Sequence, residues 1–175
     1  MKVLTIPTKL ILLRILLIPV FLILFFNGLN FAALTVFAVA SLSDLFDGVI
    51  ARVRGQMTDF IKFMDPLADK LLLSSAFIAL VATGQIPAWF AIIIVARDFI
   101  ITGLRLFLAS KSVVSGAVIT GKFNTTFQMF LVIFILAGAS SIVIDIFIGA
   151  VLLLTLVSTI QNFVKNWKVI RQIKL

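Results

Sequence analysis

Six long apolar runs make up most of the chain, and short polar breaks separate them. A membrane-spanning helix needs about 20 mostly apolar residues, which is close to the length of each run. The pattern therefore predicts an all-α integral membrane protein built as a bundle of six transmembrane helices. The predicted spans are residues 8–26, 31–54, 58–82, 88–110, 122–138 and 142–164. No soluble domain fits beside them, so residues 1–175 are predicted to form a single membrane-embedded domain.

The breaks between the runs alternate in charge. Those at residues 27–30, 83–87 and 138–141 contain turn-forming residues and no charge, whereas the alternate breaks and both chain ends are basic. By the positive-inside rule, both termini and the loops after spans two and four face the cytoplasm. The basic start followed by an apolar run is also typical of a signal peptide. The run is long and lacks a small-residue cleavage site, which favours a retained first span.

Composition narrows the chemistry that the chain can perform. Hydrophobic residues make up 62% and charged residues 13%, which excludes a soluble globular domain. Cysteine and histidine are absent and all seven acidic residues are aspartate, so acid–base or metal chemistry must use aspartate, lysine and arginine. The net charge of +8 is scattered at the ends of apolar segments, which indicates anionic membrane lipids, and no nucleic acid, as partners.

Aspartates cluster in the second and third predicted spans. On a helix, Asp44, Asp47, Gly48, Ala51 and Arg52 share one face, because their offsets from Asp44 are 0, 3, 4, 7 and 8. The third span carries Asp65 and Asp69, which are stacked four residues apart. Counted along the helices at about 1.5 Å per residue, the two pairs lie at similar depth in the cytoplasmic half.

Four carboxylates at one depth in an apolar medium require compensation, since each buried charge costs several kcal/mol. Arg52 and Lys70 can neutralise two at most, and pairing or helix capping is the structural alternative. Divalent cations compensate all four, and a ligand set of oxygen atoms alone suits magnesium, manganese or calcium. Such a site also polarises a phosphoryl group. Gly48 and Ala51 on the same face leave room for a ligand, although small residues equally serve close helix packing.

These residues resemble the signature of the CDP-alcohol phosphatidyltransferases: Asp44-x-x-Asp47-Gly48-x-x-Ala51-Arg52 followed by Asp65-x-x-x-Asp69. The resemblance implies displacement of CMP from a CDP-linked lipid by an alcohol, with two magnesium or manganese ions bridging the pyrophosphate. The four aspartates are then metal ligands, and Asp69 is also the base that takes the acceptor's hydroxyl proton. The residues expected against the CDP-lipid are Gly48, Ala51, Arg52, Thr8 and Ile61.

Three further segments are similar to the bacterial branch that uses CDP-diacylglycerol and sn-glycerol 3-phosphate. They are Ile6-Pro7 with Arg14, residues 63–70, and Arg97-Asp98-Phe99 with residues 102–105. An anionic acceptor needs cations, so Arg105, Lys122 and Arg97 are expected to bind its phosphate, with snorkelling to lipid headgroups as the alternative. The resemblance also implies a multi-pass protein of the bacterial cytoplasmic membrane, an active site open to the cytoplasm, and a possible homodimer.

The sequence departs from the family pattern near the nucleotide. The family has a glycine four residues before the third aspartate, where this chain has Ile61, whose side chain would occupy space left for the nucleotide. Thr8 and Ile11 replace the amino-terminal asparagine and threonine often seen near the cytidine. Asn124 stands where a second lysine often follows Lys122. A different acceptor alcohol or a catalytically weakened homologue are therefore the alternative functions.

Two readings from outside the family rank lower. A cation or proton transporter also uses intramembrane aspartates, but the chain shows no inverted repeat or broken midplane helix. A membrane prenyltransferase binds magnesium pyrophosphate through two Asp-rich motifs, but in those proteins the motifs lie far apart in a longer chain. In this chain Asp47 and Asp65 are close in sequence.

Overall fold

A computed structural model describes residues 6–53, 59–110 and 118–172 of the chain. Within these ranges it leaves out the side chains of residues 6–7, 44–53, 59–60, 62–63, 110 and 168–172. The described residues form six α-helices and no strand, which confirms the predicted all-α fold. The helices are α1 (Ile6–Phe26), α2 (Asn30–Val53), α3 (Asp59–Ala82), α4 (Ala88–Ser110), α5 (Ile119–Leu136) and α6 (Ser141–Gln172).

The three uncharged breaks are tight turns of one kind, each closed by a glycine. Gly28, Gly84 and Gly138 have φ angles of 75°, 71° and 74°. Each glycine N–H bonds to a carbonyl three residues back, and the next N–H bonds to a carbonyl five residues back. This is the Schellman arrangement, which satisfies the last carbonyls of a helix and requires a left-handed residue. The turns join α1 to α2, α3 to α4 and α5 to α6, so all three lie at one end of the bundle, here called the turn end.

The apolar core lies toward the turn end. Large buried side chains from five helices contribute to it, among them Phe21, Phe25, Phe37, Phe77, Leu80, Phe90 and Leu131. Phe21 and Phe37 have ring centroids 5.6 Å apart, and Phe77 meets Phe90 edge to face at 5.9 Å. Helix α3 packs against α1, α4 and α5, while α6 packs against α4 and α5. The central position of α3 places its polar residues inside the bundle.

The exterior of the bundle is apolar and its interior is partly polar, as expected for a protein surrounded by lipid. Leu16, Phe31, Ile92 and Val164 are exposed, whereas Arg14 is fully buried. Among the described residues, three stretches are long and apolar enough to cross a membrane: Thr8–Phe26, Ile119–Leu136 and Ser141–Trp167. The helix bounds lie within three residues of the predicted spans except at the end of α6, which continues to Gln172.

Candidate active site

The end of the bundle opposite the turns, here called the polar end, contains ionic and amide side chains that are buried or half-buried. Helices α1, α3, α4, α5 and α6 all contribute to it. They include Arg14, Asp65, Asp69, Lys70, Arg97, Asp98, Arg105, Asn124, Thr155, Ser158, Thr159 and Asn162. Burying so many polar groups is costly unless each is paired, so their partners decide what the site can do.

Asp65 on α3 pairs with Arg14 on α1. The Arg14 Nη1 atom lies 3.5 Å from the Asp65 Oδ1 atom. The arginine side chain is fully buried, whereas the carboxylate is 31% exposed. The aspartate therefore keeps an accessible face beside its buried counter-charge. The sequence-based prediction used Arg14 only as a point of similarity and missed this role.

Lys70 links three helices at the centre of the site. Its Nζ atom lies 3.4 Å from Asp98 Oδ2 on α4 and 3.7 Å from Asp69 Oδ2 on α3. The same ammonium group donates to the Thr125 hydroxyl on α5 at 3.2 Å. Lys70 is therefore a counter-charge that the two carboxylates share, and its contacts connect α4 and α5 to α3.

Arg97 and Asp98 form an ion pair. Arg97 Nη1 donates to Asp98 Oδ1 at 2.7 Å, so these adjacent opposite charges compensate each other directly. The guanidinium also donates to two hydroxyls of α6, those of Ser158 and Thr159. Arg97 is thus extensively engaged by protein groups.

Arg105 lies near the end of α4 and has fewer protein partners. Its Nη2 atom donates to Asn162 Oδ1 on α6 at 3.2 Å, and its buried Nε has no hydrogen-bond partner among the described residues. Gly121 on α5 adjoins the same guanidinium, since a Cβ placed there would lie 3.6 Å from Nη2. Lys122 follows Gly121 and is exposed. The structure therefore brings Arg105 close to the start of α5, with a donor left for an anion.

The departures from the family pattern lie in buried contacts. Ile61 is 3% exposed and forms a small apolar cluster with Ile11 and Ala68, so two of the departing residues pack together between α1 and α3. Thr8 is buried as well. Asn124 is fully buried and accepts a hydrogen bond from the Thr155 hydroxyl at 3.0 Å, which makes it a contact between α5 and α6.

Five predicted site residues lie on α2, but their side chains fall outside the described part of the structure. They are Asp44, Asp47, Gly48, Ala51 and Arg52. The helix extends through all five positions, from Asn30 to Val53, as the shared-face prediction requires. Their roles as metal ligands and as CDP-lipid contacts stay predictions.

The described side chains do not by themselves form a cluster of three or more metal-ligating groups. They supply half of the predicted set: Asp65 and Asp69 stand four residues apart on α3, which places them about 5–6 Å apart on one helix face. Their donors are carboxylate oxygens, which suit magnesium or manganese. Asp65 is also partly exposed. This half of the site fits a divalent cation completed by groups from α2.

Sequence comparison identifies the family to which this arrangement belongs. Residues 4–161 match the CDP-alcohol phosphatidyltransferase family, and the chain is a member of it. The family consists of membrane-bound transferases of substituted phosphate groups and generally depends on divalent metals. A six-helix bundle with carboxylates and cations buried at one end agrees with that membership.

Relatives from several bacteria share most of their length with this chain. The CDP-diacylglycerol–glycerol-3-phosphate 3-phosphatidyltransferase of Bacillus subtilis is 37% identical over 186 aligned positions, covering 94% of this chain and 96% of the relative. The protein of that name from Escherichia coli K12 is 38% identical over 133 positions, covering 71% and 72%. A probable phosphatidylglycerophosphate synthase of Mycobacterium tuberculosis H37Rv is 34% identical over 159 positions, covering 86% and 76%.

Proposed function

We propose that this chain transfers the phosphatidyl group from CDP-diacylglycerol to sn-glycerol 3-phosphate, giving phosphatidylglycerophosphate and CMP. The observation that carries the proposal is the relationship over nearly the whole chain to proteins named for that reaction. The buried cations of α4 support it, because an acceptor that carries a phosphate needs positive charge inside the bundle. These relatives do not favour another acceptor alcohol, a weakened homologue or a transporter.

The residues proposed to hold the metal ions are Asp44 and Asp47 on α2 with Asp65 and Asp69 on α3. Two bound Mg²⁺ or Mn²⁺ ions would supply charge neutralisation of the pyrophosphate and stabilise the departing CMP. Arg14 restrains the Asp65 carboxylate from one side, so the partly exposed face of Asp65 is the one available to a cation. Gly48, Ala51 and Arg52 are proposed to lie against the CDP moiety, with Thr8 and Ile61 nearby.

Asp69 is proposed as the general base. It takes the proton from the attacking hydroxyl of glycerol 3-phosphate, whose oxygen then forms a bond to the lipid-side phosphorus while the bond from that phosphorus to CMP breaks. Lys70, 3.7 Å away, holds the Asp69 carboxylate in place from α3 itself. Arg105, with an available Nε donor, is proposed to bind the acceptor phosphate together with Lys122. Arg97, which is paired with Asp98, is proposed to contribute positive charge to the same phosphate site.

The polar end is proposed to face the cytoplasm of a bacterial cell. Lys9 and Lys165 lie in the polar-end portions of α1 and α6, and in the sequence Arg54 and Lys111 directly follow α2 and α4. By the positive-inside rule, this distribution of basic residues favours the polar end as the cytoplasmic side. Glycerol 3-phosphate, a charged and water-soluble acceptor, would then enter from the cytoplasm.

A direct assay tests the proposed reaction. Purified protein is incubated with CDP-diacylglycerol, Mg²⁺ and one acceptor at a time: glycerol 3-phosphate, glycerol, inositol or serine. We expect CMP release with glycerol 3-phosphate, formation of phosphatidylglycerophosphate by mass spectrometry, and loss of both on chelation of the metal. The proposal would be contradicted if CMP were released only with a different acceptor, or if none of the four acceptors led to CMP release.

A further inference from the structure

Three side chains of α6 donate hydrogen bonds to backbone carbonyls of the same helix. The hydroxyls of Ser158 and Thr159 donate to the carbonyl of Thr155 at 3.2 Å and 2.6 Å. The Asn162 amide nitrogen donates to the carbonyl of Ser158 at 2.7 Å. Because the single hydroxyl donors of Ser158 and Thr159 are already used, their oxygens are left to accept, and the Asn162 amide oxygen is an acceptor only. These three residues are called here the oxygen row of α6.

The oxygen row faces two arginines of α4. Arg97 donates to Ser158 through Nη2 and to Thr159 through Nε, the latter at 3.2 Å. Arg105 donates through Nη2 to Asn162 at 3.2 Å. Ser158 and Asn162 are 0% and 1% exposed, so these contacts are inside the bundle, where a hydrogen bond to a charged group is strong.

The row differs from an ordinary counter-charge because its members are neutral. Asp98 cancels the charge of Arg97, whereas Asn162 orients Arg105 and leaves its full positive charge in place. A carboxylate at position 162 would hold the same guanidinium but compete with any anion that binds it. A half-buried guanidinium that is held by an amide and forms no ion pair among the described residues is suited to a phosphate group.

We propose that the oxygen row positions Arg97 and Arg105 so that Arg105 can bind the phosphate of the acceptor substrate. This inference rests on the proposed function, since glycerol 3-phosphate is the phosphate-bearing acceptor there. Ser158, Thr159 and Asn162 are positioning residues, because they act through the arginines. Their contribution should appear in the KM for the acceptor and leave the KM for CDP-diacylglycerol unchanged.

Two substitutions at one position, with a matched control, test the proposal. Asn162→Leu removes the accepting oxygen, and the nearly isosteric Asn162→Asp keeps an oxygen but adds a negative charge. We expect each to raise the KM for glycerol 3-phosphate about tenfold, with kcat at saturation within about twofold of wild type. Gln161→Leu is the control, because it removes a neighbouring polar side chain of α6 that accepts a hydrogen bond from the Thr120 hydroxyl of α5 and, among the described residues, bonds to no arginine. It should leave both KM values unchanged.

Other outcomes of these kinetics overturn the proposal. Equal rises in the KM for both substrates, or a loss of kcat matched by Gln161→Leu, would indicate a general packing role. Asn162→Asp is the variant expected to fold most like the parent. Wild-type kinetics in this variant would show that the absence of charge at position 162 has no function.

A measurement that needs no turnover separates this inference from the proposed function. The Arg105 Nε–Hε signal of ¹⁵N-labelled protein, assigned through Arg105→Lys, should shift on addition of inorganic phosphate, and less in Asn162→Leu. Wild-type protein that releases no CMP with glycerol 3-phosphate would contradict the proposed function, while this spectrum would still test the positioning of Arg105. The inference is overturned if the chemical shift of the Arg105 signal changes neither on addition of phosphate nor in Asn162→Leu.

Discussion

The core toward the turn end of the bundle is apolar, with phenylalanine as its largest side chain, whereas the polar end contains buried or half-buried arginine, lysine, aspartate and asparagine. The turn end holds its helices with three glycine-closed turns and a continuous apolar core. The polar end holds them with ion pairs and hydrogen bonds that cross between α1, α3, α4 and α6. Apolar packing stabilises at little cost, whereas buried charge is expensive in a membrane protein and persists where function requires it. The difference separates the part that stabilises the fold from the part that is proposed to carry the reaction.

The largest effect is expected from removing one carboxylate at the polar end. Asp69→Asn should lower kcat by about 10²–10⁴-fold, because an amide cannot take a proton from the acceptor hydroxyl. The matched control is Asp145→Asn on an exposed position of α6 near the turn end, which should leave kcat unchanged. CMP release measures both. Near-normal turnover in a metal-binding Asp69→Asn protein would show that Asp69 is not the base.

A cavity at the turn end should affect stability instead of chemistry. Phe77 is 1% exposed, and Phe77→Ala should lower the free energy of unfolding by about 3–5 kcal/mol. Unfolding in denaturing detergent, followed by helical circular dichroism, measures this loss. The neighbouring Ile78 is 62% exposed, so Ile78→Ala serves as the control and should have a small effect. A change in kcat of the folded Phe77→Ala protein would contradict the separation between the two ends.

Removing the Arg105 guanidinium from the proposed phosphate site should weaken acceptor binding. Arg105→Met should raise the KM for glycerol 3-phosphate by about 10- to 100-fold, in line with about 1.5–3 kcal/mol for hydrogen bonds to charged groups. Lys122→Met should have a smaller effect, because the Lys122 side chain is exposed and its charge is screened. Initial rates at varied acceptor concentration measure both. A KM that does not change in Arg105→Met would remove Arg105 from the acceptor site.

The cluster of Ile11, Ile61 and Ala68 is predicted to weaken the binding of the CDP-lipid. Ile61→Gly should tighten the binding of CDP-diacylglycerol by about three- to tenfold, because it opens space on the face that carries Asp65. The same change should also lower stability, since Ile61 is buried against Ile11. Binding is measured by equilibrium titration, with Ile61→Ala as an intermediate step. Unchanged affinity in both variants would remove the steric explanation of this departure.

The smallest effect concerns a single turn. Gly84 has a φ angle of 71°, so Gly84→Ala should cost about 1–2 kcal/mol of unfolding free energy through backbone strain. Gly103 lies within α4 with open space around its Cα, so Gly103→Ala should be neutral or slightly stabilising. Thermal unfolding of the pair compares them. Equal behaviour of the two variants would mean that the turn conformation is not needed.

Hydropathy and turn residues predicted the six helices, because the backbone N–H and C=O groups of each apolar run can be satisfied in lipid only by hydrogen bonds within one helix. The sixth membrane span was predicted to end at residue 164, and the helix that contains it continues to Gln172. Hydropathy reports where the apolar run ends, and a helix can continue beyond it as a basic segment outside the hydrocarbon. The turns at Gly28, Gly84 and Gly138 were predicted as breaks, and the structure confirms them.

The pairing of charges could be predicted only in part. Arg97 and Asp98 are neighbours in sequence, so their ion pair needs no particular packing of helices. Arg14 with Asp65, and Lys70 with Asp98, are joined across different helices, so the choice of partner depends on which helices pack together. The polar residues of α6 carried a weak signal in advance: hydroxyl and amide groups spaced three to four residues apart in an apolar span. The ligand set contributed by α2 stays a prediction.

The central claim is that aspartates of α2 and α3 together hold divalent cations at the polar end. The most direct test is the anomalous scattering of Mn²⁺ in crystals of the wild-type protein grown with CDP-diacylglycerol. We predict Mn²⁺ peaks within about 2.0–2.3 Å of carboxylate oxygens of Asp65 and Asp69 and of Asp44 and Asp47. The claim is contradicted if saturating Mn²⁺ leaves that space empty, or if the four carboxylates point away from one another.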